Sequence, residues 1–283
     1  MKILSIYHNA DLDGKCSAAI VRYRYGSMVE LHGANYGDAV PWEQIREADT
    51  VYISDFSYSM EDMAKIDEMC DLIWYDHHIS AINAAKEAKL EAIFGLRDVD
   101  KSGCMLTWLG LFPDEVMPLT VMQLGKYDCW SWIHEVKPMQ EEILDLQASM
   151  QLEPWEPTDE RWSDLFCYDL RLYNSIIVNG STVRKYIKQH MSRVHKNCSV
   201  IQWHGVQTLI ANSHASSTLD YEDKAKEVGA EIVLSFYKSL DGWKYSLRSF
   251  GSVDVSELAD RYGGGGHKAA AGFYLEYLLE ELM

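Results

Sequence analysis

Apolar and polar positions alternate in blocks along the first ninety residues. Residues 2–7 form a short apolar, β-branched run that reads as a strand. Residues 11–25 carry Ala18, Ala19, Ile20 and Val21 along one side and read as a helix. Residues 29–36 are strand-like, 50–54 form a buried strand, and 60–69 follow as a helix. A further strand at 72–75 precedes a helix at 81–89. Strands that alternate with helices predict βαβ units, a parallel sheet and right-handed crossovers. From 102 to 143 the pattern is mainly helical, and the polar stretch 151–162 carries Pro154 and Pro157, where a helix should break. Residues 171–194 read as one long helix with Ile176, Ile177, Val183, Tyr186 and Ile187 on its apolar side. Beyond residue 196 the character changes. Residues 199–203, 206–211, 231–237 and 243–248 are strand-like, with a helix between the second and third. The pattern predicts two α/β domains: 1–195, a parallel-sheet domain with a helical connector, and a smaller 196–283.

Composition narrows the class. The 283 residues are 47% hydrophobic and 24% charged, which excludes disorder, collagen-like repeats and coiled coil as the main architecture. A net charge of −17 repels polyanions in general and argues against an extended non-specific grip on duplex DNA. Clustered carboxylates that bind divalent cations reverse the local sign, so a small phosphate substrate stays open. The six cysteines make no CxxC pair, which excludes a zinc ribbon and a thioredoxin motif, and their scatter fits a reducing cytoplasm. The N-terminus lacks a signal peptide's apolar core and no apolar run is long enough for a bilayer, so a cytoplasmic chain with no membrane partner is expected.

Ligands of open α/β sheets bind beyond the carboxyl ends of the strands. Three strand ends here run into metal-capable residues: His8, Asp11 and Asp13 after the first, Asp55 after the 50–54 strand, and Asp76-His77-His78 after the next. A lone Asp at such a position is most often the N-cap of the following helix. Metal-capable residues at three strand ends together, with histidines at two of them, are not explained by caps. Carboxylates so close together raise each other's pKa, and a divalent metal is the simplest compensation. Mixed carboxylate and imidazole without thiolate suits manganese, iron or cobalt, and magnesium less directly.

These residues resemble the first three motifs of the DHH phosphoesterase family, which includes RecJ exonucleases, bacterial nanoRNases, cyclic-dinucleotide phosphodiesterases and family II pyrophosphatases. Asp128 matches the fourth motif's metal-binding Asp, with Cys129 where Thr is common. Arg248, in Ser246-Leu247-Arg248-Ser249, and the run Gly263-Gly264-Gly265-Gly266-His267 resemble the family's associated C-terminal substrate-binding domain. Glycines let backbone N–H groups approach an anion closely.

The resemblance implies two Mn2+ ions per chain, with Mg2+ or Co2+ as alternatives. His8, Asp11 and Asp55 would hold one ion. Asp13, Asp55, His77 and Asp128 would hold the other, with Asp55 bridging. His78 would donate to phosphate, and Arg248, Gly264, Gly265, Gly266 and His267 would hold the substrate across a cleft between the domains. The activity so implied is hydrolysis of short single-stranded oligonucleotides or dinucleotides to mononucleotides by water activated between two metals. Alternatives are a RecJ-like single-strand exonuclease, a cyclic-dinucleotide or 3′-phosphoadenosine 5′-phosphate phosphatase, and an inactive nucleotide-binding module. Relatives are often homodimers. Trp130 and Trp132 read as core packing rather than as a stacking platform for bases.

Overall fold

A computed structural model of the chain describes residues 2–213 and 218–282. It divides into two compact units, Met1–Val183 and Arg184–Met283.

The first unit opens with β1 (Ile3–His8), α1 (Leu12–Tyr25), β2 (Val29–Ala34), α2 (Trp42–Glu47), β3 (Thr50–Ser54), α3 (Met60–Met69), β4 (Asp71–Tyr75) and α4 (Ile79–Ala88). α5 (Gly103–Leu111), α6 (Leu119–Asp128), α7 (Lys137–Met150), α8 (Arg161–Phe166) and the long α9 (Leu170–Val194) follow. The four strands are all parallel, in the order β2-β1-β3-β4. Side chains alternate across the sheet with period two. Leu4, Ile6, Val51, Ile53 and Trp74 therefore pack against Ile45, Met63, Ile66 and Ala81 on one face. Ile3 and Tyr52 pack against Val21 and Leu106 on the other. The helices after residue 102 are more than a connector. Cys16 and Ile20 of α1 share a core with Trp108, Val121, Leu146, Trp162 and Ile176, so α5 to α9 complete the first unit.

The division falls inside α9, whereas the sequence pattern placed it near residue 196 where that helix ends. The reason is that the two ends of the helix serve different cores. Tyr173 and Ile176 pack in the first unit, while Ile187, Met191 and Val194 pack in the second.

The second unit contains β5 (Ser199–Trp203), β6 (Val206–Asn212), α10 (Glu222–Val228), β7 (Ile232–Lys238), β8 (Trp243–Ser249), α11 (Val255–Asp260), β9 (Gly265–His267) and β10 (Ala270–Leu275). Its sheet is mixed, in the order β5-β6-β7-β8-β10-β9, with β6 and β7 parallel and the other pairs antiparallel. Ile210, Leu234 and Leu247 face α11, and Leu209, Val233 and Ala211 face α10 and the end of α9. The glycine run leads into β9, which holds Gly265 and Gly266 and pairs with β10. A Cβ on Gly264 would strike the Gly272 carbonyl oxygen and come within 2.5 Å of Phe273 Cβ. A Cβ on Gly266 would lie 2.5 Å from the Ala270 carbonyl oxygen. Two of these glycines are thus required by strand packing, and Gly265 alone of the three has open space beside it.

Candidate metal centre

The strand order places β2 on one side of β1 and β3 on the other, so the chain changes direction between β1 and β3. A crevice beyond the strand ends opens at such a point. His8 ends β1, Asp11 caps α1, Asp55 directly follows β3, and His77 and His78 follow β4. Asp128 is the last residue of α6. Asp11 is both a cap and a site residue: its Oδ1 accepts from Gly14 N at 3.0 Å, while its Oδ2 faces His8. Gly14 lets α1 start this close to β1, because a Cβ there would overlap the His8 carbonyl oxygen and lie 2.8 Å from His8 Cβ.

Asp55 is the centre of the arrangement. It is 2% exposed and adopts φ 57°, a left-handed conformation uncommon for a residue with a side chain. Such outliers collect at functional sites, held by their surroundings. Its N–H donates to the Tyr75 carbonyl at 2.8 Å, which ties the turn to β4. Its two oxygens face opposite groups. Oδ2 lies 3.6 Å from His8 Nδ1, which is 2.9 Å from Asp11 Oδ2. Oδ1 lies 3.1 Å from His77 Nε2, which is 3.2 Å from Asp128 Oδ2.

Donor atoms of His8, Asp11 and Asp55 lie within 4.8 Å of one another, as do those of Asp55, His77 and His78 and those of His77, Asp128 and Cys129. His8 Nδ1 is buried and has no hydrogen-bond partner despite its short distance to Asp11. Nδ1 and the two carboxylates face one point, and an imidazole that gives up its proton there becomes a ligand for a cation. The charges agree. The Asp11 and then Asp55 carboxylates push the His8 imidazole up to about 10 against its burial. Burial, then the neighbouring Asp13, holds Asp55 well above the usual carboxylate range. Burial, then Asp13 and Asp55, pushes Asp128 up to about 8. Carboxylates in this state need positive charge to ionise together, and the donor set of oxygen and imidazole nitrogen fits divalent ions of the manganese class.

Two supporting groups were not visible as such in the sequence. Asp13 Oδ2 accepts from Gly103 N at 2.7 Å and its Oδ1 from Cys104 N at 3.1 Å, so the N-terminus of α5 orients this carboxylate. Ser102 before an apolar stretch signals a helix start, but only the fold brings that start to Asp13. The second group is Asp76, fully buried, whose Oδ1 accepts from His77 N at 2.7 Å, His78 N at 3.1 Å and His78 Nδ1 at 2.7 Å. It fixes the His-His turn and orients the His78 ring. Asp76→Ala strips these donors of their partner in a buried place, at about 1–3 kcal/mol for an unsatisfied buried group. The urea midpoint is expected to fall accordingly; a midpoint within error of the parent chain shows that Asp76 does not hold the turn.

Cys129 Sγ lies 3.9 Å from His77 Nδ1, on the ring nitrogen opposite Asp55. Burial pushes its thiol up to about 12. The tryptophans that follow divide. Trp132 is buried as expected, whereas Trp130 is 58% exposed with φ 57°, so core packing does not describe it.

In the second unit, Ala270 pairs with Arg248 on one side and His267 on the other, so these three positions form one row across β8, β10 and β9. Arg248 is half-buried, which lowers its pKa, and its Nη1 donates to the Leu247 carbonyl at 2.9 Å. The side chain of His267 lies outside the described part of the structure.

Comparison with known proteins adds the following. Residues 205–282 match the DHHA1 domain family. The chain is 27% identical over 295 residues to uncharacterized protein R106 of Acanthamoeba polyphaga mimivirus, covering 94% of this chain and 66% of that one. It is 22% identical over 300 residues to oligoribonuclease NrnB of Bacillus subtilis, covering 94% and 71%. The chain therefore spans about two thirds of the viral relative's length. Among solved structures, the DHH domain of PF0399 superposes with a TM-score of 0.62 at 12% identity, over 97% of this chain and 83% of that one. The pGpG-specific phosphodiesterase PggH from Vibrio cholerae gives 0.54 at 12% identity, over 97% and 93%. A manganese-bound exonuclease RecJ gives 0.52 at 14% identity, over 97% and 86%. These likenesses show the fold, and no helix among the described residues is long and apolar enough to cross a membrane. Residues 205–282 thus form a DHHA1 domain, and the chain as a whole has the fold of the DHH-domain structures it superposes on.

Proposed function

We propose that this chain is a metal-dependent phosphodiesterase that hydrolyses short single-stranded oligonucleotides to mononucleotides. The observation that carries the reading is the placement of Asp55, one oxygen toward His8 and Asp11 and the other toward His77 and Asp128. In this reading His8, Asp11 and Asp55 hold one divalent ion, and Asp55, His77 and Asp128 hold the second with Asp13 beside them. Two such ions supply Lewis acidity and a water of lowered pKa for displacement at phosphorus. His78, oriented by Asp76, donates to a substrate phosphate oxygen. In the second unit, Arg248 and His267, in one row across β8 and β9, bind a phosphate of the substrate. Manganese is the proposed ion, supported by the oxygen and imidazole donors and by the manganese-bound RecJ of similar fold. The preference for short substrates is supported by the net charge of −17, which opposes a long polyanion, and by sequence similarity to an oligoribonuclease.

The test is hydrolysis of 5′-labelled dinucleotide, five-mer and thirty-mer, as RNA and as DNA, in manganese, with cyclic dinucleotides in the same panel. Rapid loss of the RNA dinucleotide and five-mer is expected. Preference for the thirty-mer DNA assigns a processive exonuclease instead. Turnover of nothing, with two ions bound, assigns a binding module.

A further inference from the structure

A cavity of about 440 Å³ lies beside the metal centre, lined by Tyr36, Asp38, Phe56, Tyr58, Asp62 and Ala81 among others. That volume is in the ordinary range for small-molecule pockets, about 300–1,000 Å³. It begins where the metal centre ends. The Tyr36 ring is 5.6 Å from the His8 ring and 6.0 Å from His78, and it lies 5.0 Å from Phe56, the residue after Asp55. Tyr36 is 56% exposed, so one side of this aromatic boundary is open.

Inside the cavity wall sits an unexplained group. Tyr58 is 8% exposed, and its hydroxyl is buried without a hydrogen-bond partner. Natural structures rarely leave a buried hydroxyl unmatched unless something else satisfies it. Burial, then Asp38 and Asp62, pushes its pKa up to about 12, so it remains a donor at neutral pH. Asp38 and Asp62 both line the cavity. Each already accepts one hydrogen bond, from Asn35 N at 2.8 Å and from Ser59 Oγ at 2.7 Å, and the acceptor capacity left on a carboxylate repels phosphate and takes hydroxyl and amino donors. Aromatic faces, acceptors and one orphan donor match a nucleoside, whose base has a π-face and whose ribose and exocyclic amines are donors.

We propose that this cavity is a nucleoside subsite: it takes the base and ribose of one nucleotide while the adjoining phosphate sits at the metal centre. This deepens the phosphodiesterase reading and rests on it for the position of the phosphate. Tyr36 stacks on the base at the boundary, the Tyr58 hydroxyl donates to a ring or carbonyl acceptor, and Asp38 and Asp62 keep the phosphates out.

The test compares equilibrium binding of a non-hydrolysable methylene-bridged dinucleotide, its abasic counterpart and inorganic phosphate to the manganese-loaded chain. The parent chain, Tyr58→Phe and Tyr36→Ala are measured, with metal content as a control. Tyr58→Phe is expected to weaken the full dinucleotide about tenfold, as loss of one buried hydrogen bond does, and Tyr36→Ala by a similar factor. Abasic and phosphate affinities stay unchanged, and KM for a dinucleotide rises while kcat moves little. Undiminished binding of the full dinucleotide by both variants, in a chain that still hydrolyses it, overturns the subsite and leaves the enzyme. A chain that hydrolyses nothing but binds the dinucleotide with the same Tyr58 dependence keeps the subsite and overturns the enzyme. A chain that binds no nucleotide overturns both.

Discussion

Asp55→Asn is expected to fold like the parent chain, retain at most one divalent ion and lose about a thousandfold or more in kcat. Metal stabilisation of developing charge is worth several kcal/mol, and each ~1.4 kcal/mol is tenfold in rate. Asn is the informative substitution because the residue sits at φ 57°. Asn tolerates left-handed backbone far better than Ala, for which that conformation costs roughly 1–2 kcal/mol. Asp55→Ala therefore mixes a folding defect with loss of a ligand. In metal-free protein the sign is opposite for stability. Asp55 is buried against Asp11 and Asp13, so an uncharged amide relieves repulsion and the metal-free melting temperature should rise. Elemental analysis after gel filtration and melting curves with and without chelator read both effects. Two ions retained together with the parent rate would sink the central role given to Asp55.

Gly103→Ala is expected to damage the same centre without replacing a ligand. A Cβ on Gly103 would overlap Asp55 Cβ, lie 2.9 Å from Asp55 Cα and come within 3.0 Å of Asp13 Oδ2. The nearest atoms belong to a fixed turn, so α5 has to move. That movement withdraws the Gly103 and Cys104 N–H groups from Asp13 as well. Ala in place of Gly gains about 0.5–1 kcal/mol of helix propensity, but overpacking typically costs about 1–3 kcal/mol. Net destabilisation is expected, with a loss of metal affinity of about 10–100-fold, as for other groups that orient ligands. Isothermal titration with manganese and a melting curve measure the two effects. Gly265→Ala is the contrast: with open space beside it, its stability change should stay within about 0.5 kcal/mol. Parent-like manganese affinity in Gly103→Ala would show that the α5 terminus does not position the centre.

Much of this was legible in the sequence because it is local. The alternation of short apolar runs with helical stretches determined a parallel α/β sheet, and Asp11, Asp55 and Asp76 to His78 stand at strand ends because the chain leaves a sheet there. The long α9 followed from its one-sided apolar pattern. What remained hidden depends on contacts between distant segments. The pairing of Gly103 with Asp13, 90 residues apart, has no local signal. Neither has the approach of Cys129 to His77 or the cavity behind Tyr36 and Tyr58. The division inside α9 was hidden for the same reason, since one apolar stripe served two cores. The glycine run shows the limit most clearly. Sequence marked it as backbone that comes close to something; only the pairing of β9 with β10 decided that for Gly264 and Gly266 the something is the neighbouring strand. Periodicity and capping act over a few residues and are written in the chain, whereas burial, left-handed strain at Asp55 and orphaned polar groups arise only when distant surfaces meet.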